Sequence, residues 1–444
     1  MKTLLRLSMM ITISILCFLH GKGQETQDSI RIDLNKALEI ALSENPTMRI
    51  AGRDIEVKKN YKREQIVSLF PDVSLSAGYN RNLKKQMMAM EMQGTVVEIE
   101  VGTDNTYNAG LSLTLPIIAP ALWNNVKLSQ LDVELAMESA RASKISLINE
   151  VKKAYYNLLL AKDSYLVLLK NYQNVEDNFQ NIAAKYEQGL ASEFDKLRAE
   201  VQVKNQIPNL KSAASGVDLA TMMLKVLMGV SVNEPLLFEG SLSDYESLMT
   251  ERSVPKAGDL SLENNTDLHQ LDLSIAQLNR SLSIIKSSAA PTLAFTGALQ
   301  LNSMNDDFNF AKYKWYPYAY VGVGLNVPIV SWASTSYRVK SSKLNIQSLE
   351  DQRNYLEENL RLNINNALNQ INNATEELES NRENVKQAEK AQSISQKQYE
   401  IGMGTWLDLS AAEVALTSAR LAYTQSIYNY LTAYADLERI LGNN

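Results

Sequence analysis

Histidine and cysteine, the side chains used most often for metal binding and nucleophilic catalysis, are nearly absent from this chain of 444 residues. It contains two histidines, His20 and His269, and one cysteine, Cys17. A lone histidine is more often a surface or core residue than a ligand, and no HExxH, GxSxG or P-loop pattern occurs. The acid pairs at 357–358 and 376–377 lie in long helical patterns, which favours solvated faces over general acid–base pairs. We therefore expect no enzyme activity, no cofactor and no metal site.

The first 23 residues have the parts of a secretory signal peptide. Lys2 and Arg6 give a positive start, an apolar run occupies 7–19, and small residues precede Gln24 at the −3 and −1 positions. Because the run is too short to span a bilayer, we expect export with cleavage after Gly23. Lipidation of Cys17 is the alternative, although a leucine stands before it, where lipoprotein processing favours a small residue.

Charge and hydropathy restrict the partners. The chain has 44 basic and 50 acidic residues, a net charge of −6, which argues against a nucleic-acid partner. After the signal, no run of 18 or more apolar residues remains, so we expect no transmembrane helix. An exported protein without such a helix is either soluble or a β-barrel.

A repeat with an offset of 213 positions organises the chain. A Tyr-Glu-x-Gly element occurs at 186–189 and again at 399–402, and an apolar pair before glycine occurs at 227–229 and 440–442. Ahead of each Tyr-Glu-x-Gly element, apolar residues recur at alternating steps of four and three, which predicts a long helix with a heptad seam. The first seam stays apolar to Tyr186, whereas the second becomes polar at Asn381, Gln392 and Ser395.

The glycine after each seam predicts a helix end, and a second helical pattern follows at once. We therefore expect two long helical hairpins, at about 121–229 and 331–441. The first arm of the first hairpin would be roughly 100 Å long at the usual rise per residue. Pro208 lies in the returning arm and should kink it or remove a hydrogen bond.

Period-two alternation precedes each hairpin and predicts four strands, at about 71–83, 106–117, 291–301 and 315–329. Each strand has one apolar face and one face of small or polar residues, which is typical of a tilted membrane-spanning strand. A half-buried strand in a soluble domain is the alternative. Export and the long connections at 83–106 and 302–314 favour the membrane. The predicted interfacial aromatic residues are Tyr79, Tyr107, Trp315, Tyr316 and Tyr318.

Four strands are too few for a membrane barrel, since the smallest have about eight strands. Open strand edges are not tolerated in lipid. If the strands are in a membrane, several copies of the chain must contribute to one barrel.

Taken together, these features resemble the TolC family of outer-membrane efflux ducts. The resemblance rests on the amphipathic opening at 32–42, the Asn45-Pro46 pair that follows it, and two strand-plus-hairpin halves at 24–240 and 241–444. It implies a mainly α fold with a transmembrane β-barrel portion, built from two internal structural repeats. A homotrimer in the outer membrane of a Gram-negative bacterium would combine twelve strands in contact with lipid. Its helices would form a periplasmic coiled-coil barrel.

The resemblance also implies partners and the residues that meet them. The partners are a periplasmic adaptor (membrane fusion) protein and an inner-membrane pump, either proton-driven or ABC-type. In the family, the hairpin tips contact the adaptor. The corresponding residues here are Gly189, Leu190, Ala191, Ser192, Gly402, Met403, Gly404 and Thr405.

A gate at the periplasmic entrance is the third implication. Asp408 matches a constricting aspartate of the family, and Tyr399 and Asp195 match a hydrogen-bonded pair that holds the entrance closed. A second constricting aspartate is replaced by Ala411, and an arginine of the latch by Gly404. The alternative is that both aspartates are first-turn acids favoured by the helix dipole. Because only the first seam is apolar throughout, we expect the first hairpin to be fixed and the second to move.

The favoured function is a passive conduit for efflux of small molecules such as drugs. Type I protein secretion by the same fold is the first alternative, and an exported coiled-coil scaffold without a pore is the second. The scaffold does not account for the four alternating segments.

Overall fold

The structure is a computed structural model that describes residues 30–92, 95–251, 258, 260–329 and 332–443. The predicted signal peptide, with Cys17, lies outside the described residues. The chain divides into two compact units. The first holds described residues within Met1–Asn45, Ile148–Ser253 and Gln370–Ala435, and the second holds those within Pro46–Leu147, Val254–Asn369 and Asp436–Asn444.

Helices form most of the described chain because long stretches repeat apolar residues at helical spacing. Their bounds are α1 Leu34–Glu44, α2 Pro46–Val67, α3 Pro120–Glu187, α4 Glu193–Met228, α5 Glu246–Glu251, α6 Thr266–Ser287, α7 Trp332–Glu400 and α8 Trp406–Leu441. The hairpin predicted at about 121–229 covers the same part of the sequence as α3 and α4. The hairpin predicted at about 331–441 covers the same part as α7 and α8. None of the described helices is both long enough and apolar enough to cross a membrane.

Pro208 lies inside α4, which runs unbroken from Glu193 to Met228. As a proline, it has no backbone N–H to donate to the helix. The helix therefore tolerates proline at this position without ending.

The strands form three sheets. Their bounds are β1 Ile30–Ile32, β2 Asp72–Arg81, β3 Gln86–Met92, β4 Thr95–Val101, β5 Asn105–Ile118, β6 Leu236–Phe238, β7 Thr292–Asn305 and β8 Tyr316–Asn326. Strands β2, β5, β7 and β8 make one antiparallel sheet in the order β2-β5-β7-β8, so that β2 and β8 are its edges. The short strands β1 and β6 pair in parallel.

The segment between β2 and β5 differs from the prediction. The sequence was expected to form a long connection at 83–106, but it contains the hairpin of β3 and β4 as a separate two-stranded sheet. Apolar residues alternate there as well, with Met88 opposite Ile99 and Met90 opposite Val97. The same period-two signal was therefore present inside the predicted connection.

The register of the four-stranded sheet separates two chemically different faces. One face carries apolar rows, such as Val73, Leu113 and Val321, and many of these side chains are exposed. The other face carries the rows of Ser74, Ser76 and Gly78. Tyr316 and Tyr318 lie on this polar face, because they pair with Asn302 and Gln300. The two tyrosines therefore lie on the face opposite the exposed apolar rows, and their interfacial role stays a prediction.

The ends of the two returning arms are held in the same way. The side-chain amide of Asn45 donates to the carbonyl of Leu227 at 2.7 Å, and that of Asn265 donates to the carbonyl of Ile440 at 2.7 Å. A glycine with positive φ follows each arm, Gly229 at 74° and Gly442 at 70°. Each glycine packs directly on the backbone that precedes the asparagine, so a Cβ at either position would clash.

Candidate functional site at the hairpin turns

The two turns that connect the helical arms have the same backbone geometry. Gly189 and Gly402 have φ of 74° and 75°, which is the left-handed conformation that glycine adopts without steric cost. The next residue of each turn donates its N–H back into the arm, from Leu190 to Lys185 O and from Met403 to Gln398 O, both at 2.8 Å. This is the glycine-based cap of a helix C-terminus, and it explains why each arm ends where it does.

Apolar side chains at both turns are exposed. Leu190 is 73% exposed and Met403 is 79% exposed. Phe194 and Leu407, each in the first turn of the following helix, are exposed as well. Exposed apolar residues concentrated at two matching turns are typical of an interaction site.

The acids predicted for the gate act as helix caps in this structure. Asp195 Oδ2 accepts the hydroxyl of Ser192 at 2.6 Å, and Asp408 Oδ2 accepts the hydroxyl of Thr405 at 2.6 Å. Asp408 Oδ2 also accepts the backbone N–H of Thr405 at 3.1 Å. These two bonds hold the pKa of Asp408 below its usual value, and the bond from the Thr405 side chain has a larger effect than the bond from its backbone. The geometry is that of a reciprocal N-terminal cap.

Tyr399 has a different partner from the one that the resemblance implies. Asp195 is bonded to Ser192, and no hydrogen bond joins it to Tyr399, although both residues are described. The Lys185 ammonium instead lies over the Tyr399 ring, 4.8 Å from its centroid, which joins α3 to α7. Burial, followed by the charge of Asp195, raises the pKa of Tyr399.

Arg198 makes a second contact between the hairpins. Its guanidinium lies 5.2 Å from the ring centroid of Phe194 and 5.7 Å from that of Trp406, so that it joins α4 to α8. Gly404 replaces the arginine that the family has in this region, and Arg198 places a cation near the same turns from the first hairpin. This residue was not predicted from the sequence.

A buried acid farther from the turns was also missed. Glu413 is only 4% exposed, and its Oε1 accepts the side-chain amide of Asn178 at 2.6 Å. Burial raises the pKa of Glu413 to about 7, against the opposing effect of the bond from Asn178. A signal was available, because Glu413 lies at heptad spacing between the buried Leu409 and Leu416.

The segment at 241–251 connects the two hairpins away from the turns. Asp163 of α3 accepts the backbone N–H of Leu242 at 2.9 Å, and burial raises the pKa of Asp163. Glu246 binds the second hairpin, since it lies 2.8 Å from the guanidinium of Arg382 and accepts the Tyr423 hydroxyl at 2.7 Å. We call this segment the strap. The strap donates to the Asp163 carboxylate of α3, and its own Glu246 carboxylate binds α7 and α8.

The fold of this chain is similar to that of solved outer-membrane channels. The structure of the Campylobacter jejuni CmeC outer membrane channel matches 92% of this chain and 85% of its own, with a TM-score of 0.72 and 17% identity. At that identity the likeness shows the fold alone.

The chain belongs to the outer membrane efflux protein family, whose model matches residues 37–230 and 257–443. It is 20% identical to the outer membrane protein TolC of Vibrio cholerae over 380 residues, 84% of this chain and 82% of that protein. It is 21% identical to a probable efflux pump outer membrane protein, TtgC, of Pseudomonas putida, over 92% of this chain and 82% of that protein.

These findings confirm two predictions. The resemblance to the TolC family is confirmed, and so is localisation in the outer membrane of a Gram-negative bacterium. The relatives are channels rather than enzymes, which agrees with the expectation of no catalysis.

Proposed function

We propose that this protein is the outer-membrane duct of a tripartite export system, a passive conduit for efflux of small molecules such as drugs. The observation that carries the proposal is the sheet β2-β5-β7-β8, which has two open edges and an exposed apolar face. Lipid accepts an apolar face but not an open edge. The edges are therefore satisfied by other copies of the chain.

Three copies would close a barrel of twelve strands, in which β8 of one copy pairs with β2 of the next. The exposed apolar residues of β2 and β8 support contact with lipid; they are Val73, Leu75, Val321, Val323 and Leu325. The matching caps at Asn45 and Asn265, and at Gly189 and Gly402, support an origin of the two halves by duplication.

The helical hairpins then form the periplasmic part of the duct. The apolar tips at Leu190 and Met403 are suited to bind a periplasmic adaptor, because exposed apolar groups gain most from burial against a partner. An inner-membrane pump supplies the energy. The name of the Pseudomonas putida relative, a probable efflux pump protein, supports efflux as the use of the duct.

The entrance is the proposed position of the gate. Tyr399, Asp195 and Asp408 all lie within a few residues of the turns, and Lys185 and Arg198 hold the two hairpins together there. In this proposal, opening moves α7 and α8 away from α3 and α4 and breaks these two cation–π contacts. The second hairpin is the moving arm.

Membrane fractionation combined with planar-bilayer recording tests the proposed function. The protein should be recovered in the outer-membrane fraction and should form ion-conducting channels after reconstitution. Recovery as a soluble periplasmic protein without channel activity would contradict the proposal and favour a scaffold.

A further inference from the structure

Three tyrosines form a column on the polar face of the edge strand β8. Tyr316, Tyr318 and Tyr320 alternate along the strand, and their cross-strand partners on β7 are Asn302, Gln300 and Ala298. Tyr316 is 62% exposed and Tyr318 is 57% exposed. The rings of Tyr318 and Tyr320 are tilted, with centroids 5.7 Å apart, so they form a continuous aromatic surface.

The residues beside the tyrosines on this face are small or carry amides. In the rows that run across the sheet beside the tyrosines it presents Ser74, Ser76, Gly78, Ser112, Gly110, Asn108, Ala298, Gln300 and Asn302. The only charged residue on this face of the four strands is Asp72, at the first position of β2. In the three rows beside them, the tyrosines are therefore the large side chains among small, neutral ones.

The neighbouring amides lean away from the column. A Cβ at Gly78 would lie 2.7 Å from the Asn108 side-chain oxygen, and a Cβ at Gly110 would lie 3.0 Å from the Gln300 Cγ. Each amide thus occupies the space over a glycine on the strand farther from β8. This arrangement leaves the tyrosine rings uncovered on the side that faces β7.

We propose that this tyrosine column is a binding track for neutral aromatic solutes inside the barrel. The inference rests on the proposed function, because the polar face lines the lumen only if the apolar face meets lipid. Exposed tyrosine rings offer stacking surfaces, and their hydroxyls offer hydrogen bonds to a polar substituent. The three rows beside the tyrosines carry no charge, so this part of the face selects for ring faces rather than for charge.

Photoaffinity labelling of the trimer in lipid nanodiscs tests this site. The probe is 4-azidobenzyl alcohol, a neutral aromatic azide, and its label is located by peptide mass spectrometry. We expect saturable labelling of the peptide that contains 316–320, displaced by 4-nitrobenzyl alcohol and not by cyclohexylmethanol. Labelling only elsewhere, or labelling that cyclohexylmethanol displaces equally well, overturns the proposal.

Variants and charged probes sharpen the result. Tyr318→Leu should lower saturable labelling about fivefold, as expected for the loss of one ring–ring contact, whereas Tyr318→Phe and the helix control Tyr355→Leu should retain it. Equal labelling by 4-azidobenzylammonium would show that cations bind there as well and would overturn selectivity for neutral solutes. Channel recording on the same nanodisc preparation separates the two proposals. A conducting trimer without the label refutes only the track, whereas a preparation without channels refutes the proposed function.

Discussion

The buried carboxyl of Glu413 makes the stability of the helical part depend on pH. Its pKa is raised to about 7 in the folded chain, against a usual value of 4.5, because burial disfavours its charge. Between these values the folded state holds a proton that the unfolded chain has released. Stability therefore falls as the pH rises from about 4.5 to about 7, and changes little from this cause above that range.

Glu413→Gln should remove this dependence. Glutamine retains an oxygen acceptor for Asn178 but carries no charge, so the variant should match the native chain near pH 5 and be more stable at pH 8, by up to about 3 kcal/mol. Thermal unfolding at the two pH values measures the effect. Glu377→Gln, an exposed position in the same unit, is the control and should show no such crossover.

Asp408 can be tested separately as a cap and as a gate. Asp408→Ala removes both the charge and the acceptor for Thr405, whereas Asp408→Asn retains an acceptor oxygen. If the carboxylate constricts the entrance, both variants should raise single-channel conductance. The matched variant Asp195→Asn changes the corresponding acid of the first hairpin.

The alternative for Asp408 gives a different pattern. If Asp408 serves only as a cap, Asp408→Asn should conduct like the native channel, and Asp408→Ala should only lower the stability of the protein. That pattern would contradict the gate.

At the residue scale, sequence predicts best what depends on local spacing. Gly189 and Gly402 end periodic runs, and their cap geometry follows from that position. The bond between Glu413 and Asn178 joins residues 235 positions apart, and no local pattern specifies it. Likewise, the pairing of Tyr316 with Asn302 comes from the register of the sheet, which no local pattern specifies.

At the element scale, the glycines that follow the returning arms have measurable roles. Gly229→Ala and Gly442→Ala should each destabilise the protein by about 2 kcal/mol or more, because φ is positive at both positions. In addition, the new Cβ would meet backbone atoms at 44–45 or 264–265, respectively. At Gly229 the clash is with the carbonyl oxygen of Glu44, at 2.6 Å. Thermal unfolding of the variants measures the loss.

Gly216→Ala is the matched control for these two substitutions. Gly216 lies inside α4 with open space around its Cα. Alanine there should stabilise the helix by about 0.5–1 kcal/mol. A similar loss at all three glycines would contradict the structural explanation.

The strap predicts unequal effects on the two hairpins. Glu246→Gln removes the charge that binds Arg382, so amide exchange should become faster in α7 and α8 near Arg382 and Tyr423. Exchange in α3 near Asp163 should not change, because Asp163 binds Leu242 independently of Glu246. Glu239→Gln, which disrupts an exposed ion pair with Arg31, is the control. Equal acceleration in α3 would contradict the strap as a selective anchor for the second hairpin.

Elements differ in how well sequence predicts them. Long heptad seams and period-two runs are local signals. The strand predicted at about 71–83, for example, covers the same part of the sequence as β2, Asp72–Arg81. The hairpin of β3 and β4 was overlooked because its strands were short and lay within an expected connection. The pairing of β1 with β6 joins three-residue strands, which are too short for a periodic signal.

At the scale of the whole molecule, the open edges of the four-stranded sheet determine what the protein must do to be stable in lipid. One chain leaves β2 and β8 without a partner in the described structure. In the proposed barrel, the need for further copies follows from the number of strands, which was predicted from the sequence. The number of copies does not follow from the sequence, because it depends on the curvature that the assembled sheet adopts.

The native mass of the complex extracted from outer membranes in detergent tests the central claim most directly. The account predicts a mass of three chains, stable until the detergent denatures the sheet, with the signal segment absent from each chain. Extraction as a single chain would contradict it, because one copy leaves both edges of the sheet open in lipid.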